Sequence, residues 1–173
     1  MSRSVPLVLF AILILAAQSA GQNTSAYSNL QGKGCRTLVS NPNEGGSFLA
    51  ECRGVAGYKL QVLEGDLRQS VNVIDPKGKK TELNLWDVSG GFSSLGETAE
   101  WRLNGKTPVA LIVRFNVSED PEDSAKTTSY LVVVKITKDA TCVTDALKPT
   151  RSHNYEARRA ADRAATRGCR FQE

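Results

Sequence analysis

The sequence contains few of the residue types on which catalytic and cofactor sites depend. Among its 173 residues, His153 is the only histidine, and no Gly-x-Ser-x-Gly motif is present, so a nucleophilic site of the Ser–His–Asp kind lacks its motif. We expect His153 to be exposed, just before a helix. The four cysteines include no Cys-x-x-Cys pair and no closely spaced zinc ligands, which argues against thiol redox catalysis and zinc binding. The sequence therefore predicts neither a cofactor nor a metal site.

Aromatic residues and basic charge are too scarce for a nucleic-acid surface. Aromatics make up 6% of the chain, which is too little for a broad stacking platform. Residues 21–150 carry equal numbers of acidic and basic side chains, and the net charge of +4 comes from Arg3 and from residues 151–173. Because the charges of residues 21–150 cancel, this part of the chain has no positive electrostatic field that attracts nucleic acid. We therefore expect no nucleic-acid partner.

Long hydrophobic runs are missing, apart from one near the N-terminus. Val5–Ala17 is an apolar run of 13 residues that follows Arg3 and precedes the small residues 19–21. This order is typical of a signal peptide, here residues 1–21, with cleavage between Ser19 and Gln22. The run is shorter than the roughly 20 residues that span a bilayer; an uncleaved anchor is the alternative. The sequence predicts an exported protein, periplasmic or secreted.

The four cysteines all lie in the part of the chain that follows this run. An even number of cysteines in an oxidising compartment predicts disulfides. Four cysteines allow three sets of pairings, and proximity along the chain favours Cys35–Cys52 and Cys142–Cys169.

The remaining sequence consists mainly of short apolar runs divided by turn residues. Residues 22–33 are polar and without periodicity, which predicts a flexible lead-in, and residues 34–173 then form a single domain. Asn104-Gly105 is a strong hairpin signal. Val109–Phe115 and Tyr130–Ile136 are apolar on both faces, as central strands are.

A helix is predicted only at the C-terminus, at about residues 154–167. Alanines recur there at the spacing of one helix face, and Gly168 is placed to end the helix. We expect a mainly β (α+β) fold: a curled antiparallel sheet, or a small sandwich or barrel, to which the helix is tied by Cys142–Cys169.

Arginines on this helix are the leading candidates for a contact surface. The candidates for partner binding are Arg158, Arg159, Arg163 and Arg167. A cationic face could bind a protein partner or an anionic polymer of the cell envelope, although such a row is more often a solvated helix face. We therefore expect a non-catalytic exported binding domain.

Two other functions are open alternatives. Glu64 and Asp66, with Arg68 beside them, could act as the acid, the base and the anion clamp of a small hydrolase, although such a cluster is more often a solvated turn. The acidic loop Ser118–Lys126 could enter the active site of a periplasmic enzyme as an inhibitor.

Trp101 is either a recognition anchor or a core residue, and the core is favoured.

The second half of the chain also contains a recognisable order of segments. The segments are Glu100-Trp101-Arg102, residues 108–114, residues 130–135, Cys142, and residues 157–162 with Cys169 after them. In this order they resemble a family of uncharacterised small exported proteins of proteobacteria. The resemblance implies a periplasmic location and the pairing of the last two cysteines across the helix. It implies no activity.

Overall fold

The structure, a computed structural model, describes residues 22–41, 43, 46–120, 122, 123 and 125–170. The predicted signal peptide lies outside the described residues. The strands are β1 (Thr24–Asn29), β2 (Cys35–Asn41), β3 (Ser47–Arg53), β4 (Lys59–Gly65), β5 (Arg68–Ile74), β6 (Lys80–Glu82), β7 (Ser93–Asn104), β8 (Thr107–Ser118), β9 (Thr127–Ile136) and β10 (Thr141–Leu147). The α-helix, α1, spans His153–Ala161. Among the described helices, none has the length and apolar character needed to cross a membrane.

The strands form one curled, largely antiparallel sheet in the order β10-β9-β8-β7-β5-β4-β3-β2. β7 pairs with β8 along one side. Along its other side it pairs with β1 and, at a single parallel bridge between Arg68 and Ser93, with β5. The sheet does not close, because β10 and β2 remain its two edges. This confirms the mainly β fold and selects the curled antiparallel sheet among the expected architectures.

The main core fills the inside of the curl. Trp101 is fully buried there, with its ring centroid 5.7 Å from that of Tyr58. Its indole Nε1 donates to Ser28 Oγ at 3.0 Å, which satisfies the one polar group of the ring. Trp101 is thus a core residue, as favoured from the sequence. Because side chains alternate along a strand, Glu100 and Arg102 lie on the opposite face of β7.

A smaller core lies between the outside of the sheet and α1. Its helical side consists of Ala157, Ala161 and Ala164, which contact Ile112 of β8, Val133 of β9 and their neighbours. Alanine side chains let the helix backbone approach the sheet closely. β8 and β9 are therefore covered on both faces, as their double-sided apolar pattern predicts.

The helix is shorter than expected. α1 ends at Ala161 and is followed by a 3-10 turn at Ala164–Thr166, so the prediction of a helix to about residue 167 was wrong. The chain turns there toward β10, where the Arg170 backbone nitrogen donates to the Val143 carbonyl. The disulfide between Cys142 and Cys169 holds the same segment to β10.

Both disulfides predicted from the sequence are present. Cys35 and Cys52 are opposite each other on β2 and β3 and are joined by the first. The second, Cys142–Cys169, ties the C-terminal segment to the edge strand β10.

The prediction of a flexible lead-in over residues 22–33 was wrong for Thr24–Asn29. Residues Thr24–Asn29 form β1, which pairs in register with β7 from Thr98 to Leu103. The strand was missed because it has no apolar alternation. Its outward residues, Ser25 and Tyr27, are polar because they contact charged side chains of β7 and α1.

Candidate functional site

The interface between α1 and the sheet contains a buried arginine, Arg102. Its Nε donates to Asp162 Oδ1 at 2.8 Å and its Nη2 to Asp162 Oδ2 at 3.0 Å. Arg102 also donates to the backbone oxygen of Asn23, at 2.8 Å, and to the hydroxyl of Ser25. Burial alone would raise the pKa of Asp162, but the hydrogen bonds from Arg102 and Asn23 hold it below its ordinary value. This pair joins β7, α1 and the start of β1.

A second arginine–carboxylate pair lies beside the first. Arg158 donates from Nε to Glu100 Oε1 at 2.7 Å and from Nη2 to Glu100 Oε2 at 3.1 Å. Its Nη2 also donates to the hydroxyl of Tyr27 at 3.2 Å. Hydrogen bonding to Glu100 raises the pKa of Arg158. Arg158, predicted as a partner-binding residue, therefore has an internal partner and fixes the helix to the sheet.

Arg114 of β8 differs from these two arginines because all the partners found for it are neutral. Its Nη1 donates to Ser129 Oγ at 2.8 Å and its Nη2 to Asn154 Oδ1 at 3.4 Å. No carboxylate within the described ranges lies within 4 Å of it. It lines a pocket of about 170 Å³ between the sheet and α1, together with Tyr27, Asn154 and the ion-paired residues Glu100 and Arg158.

Arg114 was not among the candidates predicted from the sequence. The signal that could have revealed it is a single charged residue inside the apolar run Val109–Phe115. A half-buried guanidinium is costly to desolvate unless it is fully hydrogen-bonded or paired with an anion. Such a residue in a central strand is therefore a candidate anion ligand.

Two of the four predicted arginines remain without an ion-pair partner. Arg159 is exposed and its guanidinium stacks over the Tyr155 ring, 5.6 Å from the centroid. Arg163 is exposed and its Nε donates to the Arg159 carbonyl at 3.2 Å. Neither has a carboxylate within 4 Å in the described part of the chain. Arg167, by contrast, forms an ion pair with Asp145, with Nη2 2.8 Å from Oδ1.

The expectation that His153 is exposed was wrong. His153 is the first residue of α1 and is buried, with Nε2 3.0 Å from the Leu147 carbonyl oxygen. The ring is placed there because the chain turns back from β10 into the helix. This contact stabilises the junction between β10 and α1.

Glu64, Asp66 and Arg68 do not form one site. Asp66 and Leu67 make the turn between β4 and β5, with φ of 52° and 58°, and the Asp66 side chain is 79% exposed. Glu64 faces the inside of the curl beside Gln69, whereas Arg68 lies near Phe92 in a separate depression. Arg68 and Asp66 form a surface ion pair of 3.5 Å. The hydrolase hypothesis requires the three side chains to converge on one site, and they do not.

Three of the four acidic residues in the loop Ser118–Lys126, namely Glu119, Asp120 and Asp123, have side-chain partners within the chain. Lys126 Nζ lies 3.1 Å from Asp120 and 3.6 Å from Asp123. Glu119 accepts a hydrogen bond of 2.6 Å from the Tyr130 hydroxyl. Burial and the Glu119 carboxylate raise the pKa of Tyr130 to about 12, and the same hydrogen bond lowers the pKa of Glu119. An inhibitory role for this loop remains a prediction.

Within the described ranges, no group of three or more His, Cys, Asp or Glu side chains is arranged to hold a metal ion. Comparison with known proteins gives no assignment: no family model, no curated protein and no solved structure matches the chain.

Proposed function

We propose that the chain is an exported, non-catalytic domain that binds an anionic macromolecule where α1 meets the sheet. The observation that carries this proposal is the environment of Arg114, whose guanidinium lies in a pocket beside the helix with neutral partners. The partner places one carboxylate or phosphate group against Arg114. Further negative charges of the partner lie along Arg159 and Arg163.

The charges around the pocket favour an anion. Arg102 and Arg158 are balanced by Asp162 and Glu100 in two-point ion pairs. Glu100 lines the same pocket but is paired with Arg158, so Arg114 leaves the pocket with a net positive charge. An anion there would form charge-assisted hydrogen bonds with the guanidinium, which are stronger than those to Ser129 and Asn154.

The size of the pocket favours a large partner that inserts one group. A volume of about 170 Å³ is below the roughly 300 Å³ at which sites for whole small ligands begin. The remaining binding energy must come from surface outside the pocket. We assign it to Arg159 and Arg163, which are exposed on α1 and just after it and do not line the pocket. An acidic protein segment and an anionic envelope polymer share this chemistry of repeated negative groups.

Export and the absence of catalysis are parts of the same proposal. The signal-peptide pattern supports export, and two disulfides are typical of an oxidising compartment. A non-catalytic role is supported by the separation of Glu64 from Arg68 and by the contact of His153 with a backbone carbonyl.

The direct test is titration of the oxidised protein with poly-L-glutamate and with polyphosphate at low and high salt. We expect saturable binding of at least one polymer, weakened by salt. Arg114→Gln and the double variant Arg159→Gln/Arg163→Gln should each weaken it by about tenfold, since charge-assisted hydrogen bonds contribute roughly 1.5–3 kcal/mol.

The matched control is Arg36→Gln/Arg53→Gln, which removes the same charge from exposed arginines on β2 and β3. This control should bind like the unmodified protein. Equal loss in the control would show that only net charge matters, and the absence of saturable binding to either polymer would refute the proposal.

A further inference from the structure

A second and larger cavity lies inside the curl of the sheet, on the face of β7 away from α1. It has a volume of about 470 Å³, within the range of small-molecule sites. It opens where the sheet does not close, between the first half of β7 and the hairpins formed by β2 to β5. We call it the curl cleft; it is lined by Leu30, Gln31, Gly32, Cys35, Thr37, Phe48, Ala50, Val62, Glu64, Gln69, Leu95 and Gly96.

The floor of the curl cleft is apolar and continuous with the main core. Leu30 and Val62 belong to that core, and Phe48 and Leu95 pack against it while only partly buried. These side chains therefore present apolar surface that the protein itself does not cover. An apolar ligand body gains free energy by covering this surface.

The rim of the curl cleft carries one half-buried carboxylate, Glu64. Gln69 Nε2 donates to Glu64 Oε2 at 2.6 Å, and Gln69 Oε1 accepts from the Leu95 backbone nitrogen at 2.8 Å. Gln69 is thus held by β7 and in turn positions the carboxylate. Nowhere in the described ranges does a lysine or arginine lie within 4 Å of Glu64, and Arg68 belongs to a different depression.

We propose that the curl cleft binds an amphipathic amine, with the apolar body on the cleft floor and the ammonium group paired to Glu64. A carboxylate beside apolar surface favours a cationic head group and disfavours an anionic one. The cleft and the arginines around α1 are different sites, so this inference does not depend on the proposed function.

Three eight-carbon probes that differ only in the head group test the proposal: octylammonium, octanol and octanoate. Binding to the oxidised protein, expressed from the full sequence, is measured by calorimetry below the micellar concentration. We expect octylammonium to bind saturably and octanoate to bind at least about tenfold more weakly, since a charge-assisted hydrogen bond contributes roughly 1.5–3 kcal/mol.

Glu64→Gln should abolish the preference for the amine over the alcohol, because its amide oxygen still accepts from Gln69 but carries no charge. Asp66→Asn is the matched control: it removes a negative charge two residues away, on an exposed turn, and should keep the preference. Thr37→Trp, at an exposed position of the cleft wall, should block all three probes.

Each opposite result would overturn the inference. If octylammonium and octanoate bind equally, or no probe binds saturably, the cleft is not an amine site. If Glu64→Gln keeps the preference, or Thr37→Trp leaves binding intact, the amine binds elsewhere. Arg114→Gln should leave amine binding unchanged, which separates this test from that of the proposed function.

Discussion

Arg102 and Asp162 form a two-point ion pair that connects the middle of the sheet to the end of α1. The arginine side chain is only 8% exposed, and the carboxylate is 31% exposed. Because Arg102 also donates to the Asn23 carbonyl, one side chain joins the segment just before β1 to the end of α1. The contact surface proposed around Arg114 lies on this same junction.

Breaking this pair should destabilise the protein. Asp162→Asn leaves the buried guanidinium without its principal anion, and we expect a loss of about 1–3 kcal/mol in the free energy of unfolding. Urea unfolding measures the loss. Asp139→Asn, at an exposed position, should cost little; an equally small effect of Asp162→Asn would mean that the pair contributes no stability.

The pH dependence of stability should reflect the same pair. Because the pKa of Asp162 is lowered in the folded protein, its stabilising contribution is present above the ordinary aspartate pKa of about 3.9 and is lost as the pH falls through the folded value. The difference in unfolding free energy between the unmodified protein and Asp162→Asn should therefore shrink below about pH 4. A difference that stays constant from pH 7 to pH 2 would contradict this assignment.

The Tyr130 hydroxyl should lose its proton at a higher pH than an ordinary tyrosine does. Burial and Glu119 raise its pKa to about 12, so the stability gained by its protonated form is present below the ordinary tyrosine pKa of about 10 and is lost as the pH rises through the folded value. Absorbance of the phenolate follows the titration, with Tyr130→Phe identifying the signal. Glu119→Gln should shift this titration downward; no shift would exclude Glu119 as a cause.

Gly54 should tolerate no side chain, because neighbouring atoms of Tyr58 and Trp101 leave no room for a Cβ. A Cβ at this position would lie 2.5 Å from the Tyr58 carbonyl oxygen and 2.9 Å from Trp101 Cζ2. We expect Gly54→Ala to destabilise the protein by about 1–3 kcal/mol. Gly65→Ala, where a Cβ meets nothing within 4 Å, is the control. If both variants unfold at the same urea concentration, Gly54 is not packed tightly against Tyr58 and Trp101, and the expectation is contradicted.

The parts of the fold that depend on apolar pattern could be predicted from the sequence. Continuous apolar runs indicated β8 and β9 as central strands, Asn104-Gly105 indicated the hairpin between β7 and β8, and the alanine stripe indicated the helix. β1 could not be predicted in this way, since its outward residues contact charges that are far away in sequence.

The candidate site was only partly predictable for the same reason. The sequence identifies arginines on the helix but not their partners. Glu100 pairs with Arg158 across 58 residues, and Asp145 pairs with Arg167 from a different strand. Which arginines remain without a carboxylate therefore depends on the tertiary structure, and Arg114 becomes a candidate only when its neighbours are known.

Binding of an anionic partner around Arg114 is best tested by capture from envelope extract on the immobilised oxidised protein, at low and high salt. The bait variants are Arg114→Gln/Arg159→Gln/Arg163→Gln and the control Arg36→Gln/Arg53→Gln. We expect an anionic partner to be captured saturably at low salt, to be lost with the triple variant and to be retained with the control. Equal capture by the triple variant would contradict the assignment of this surface.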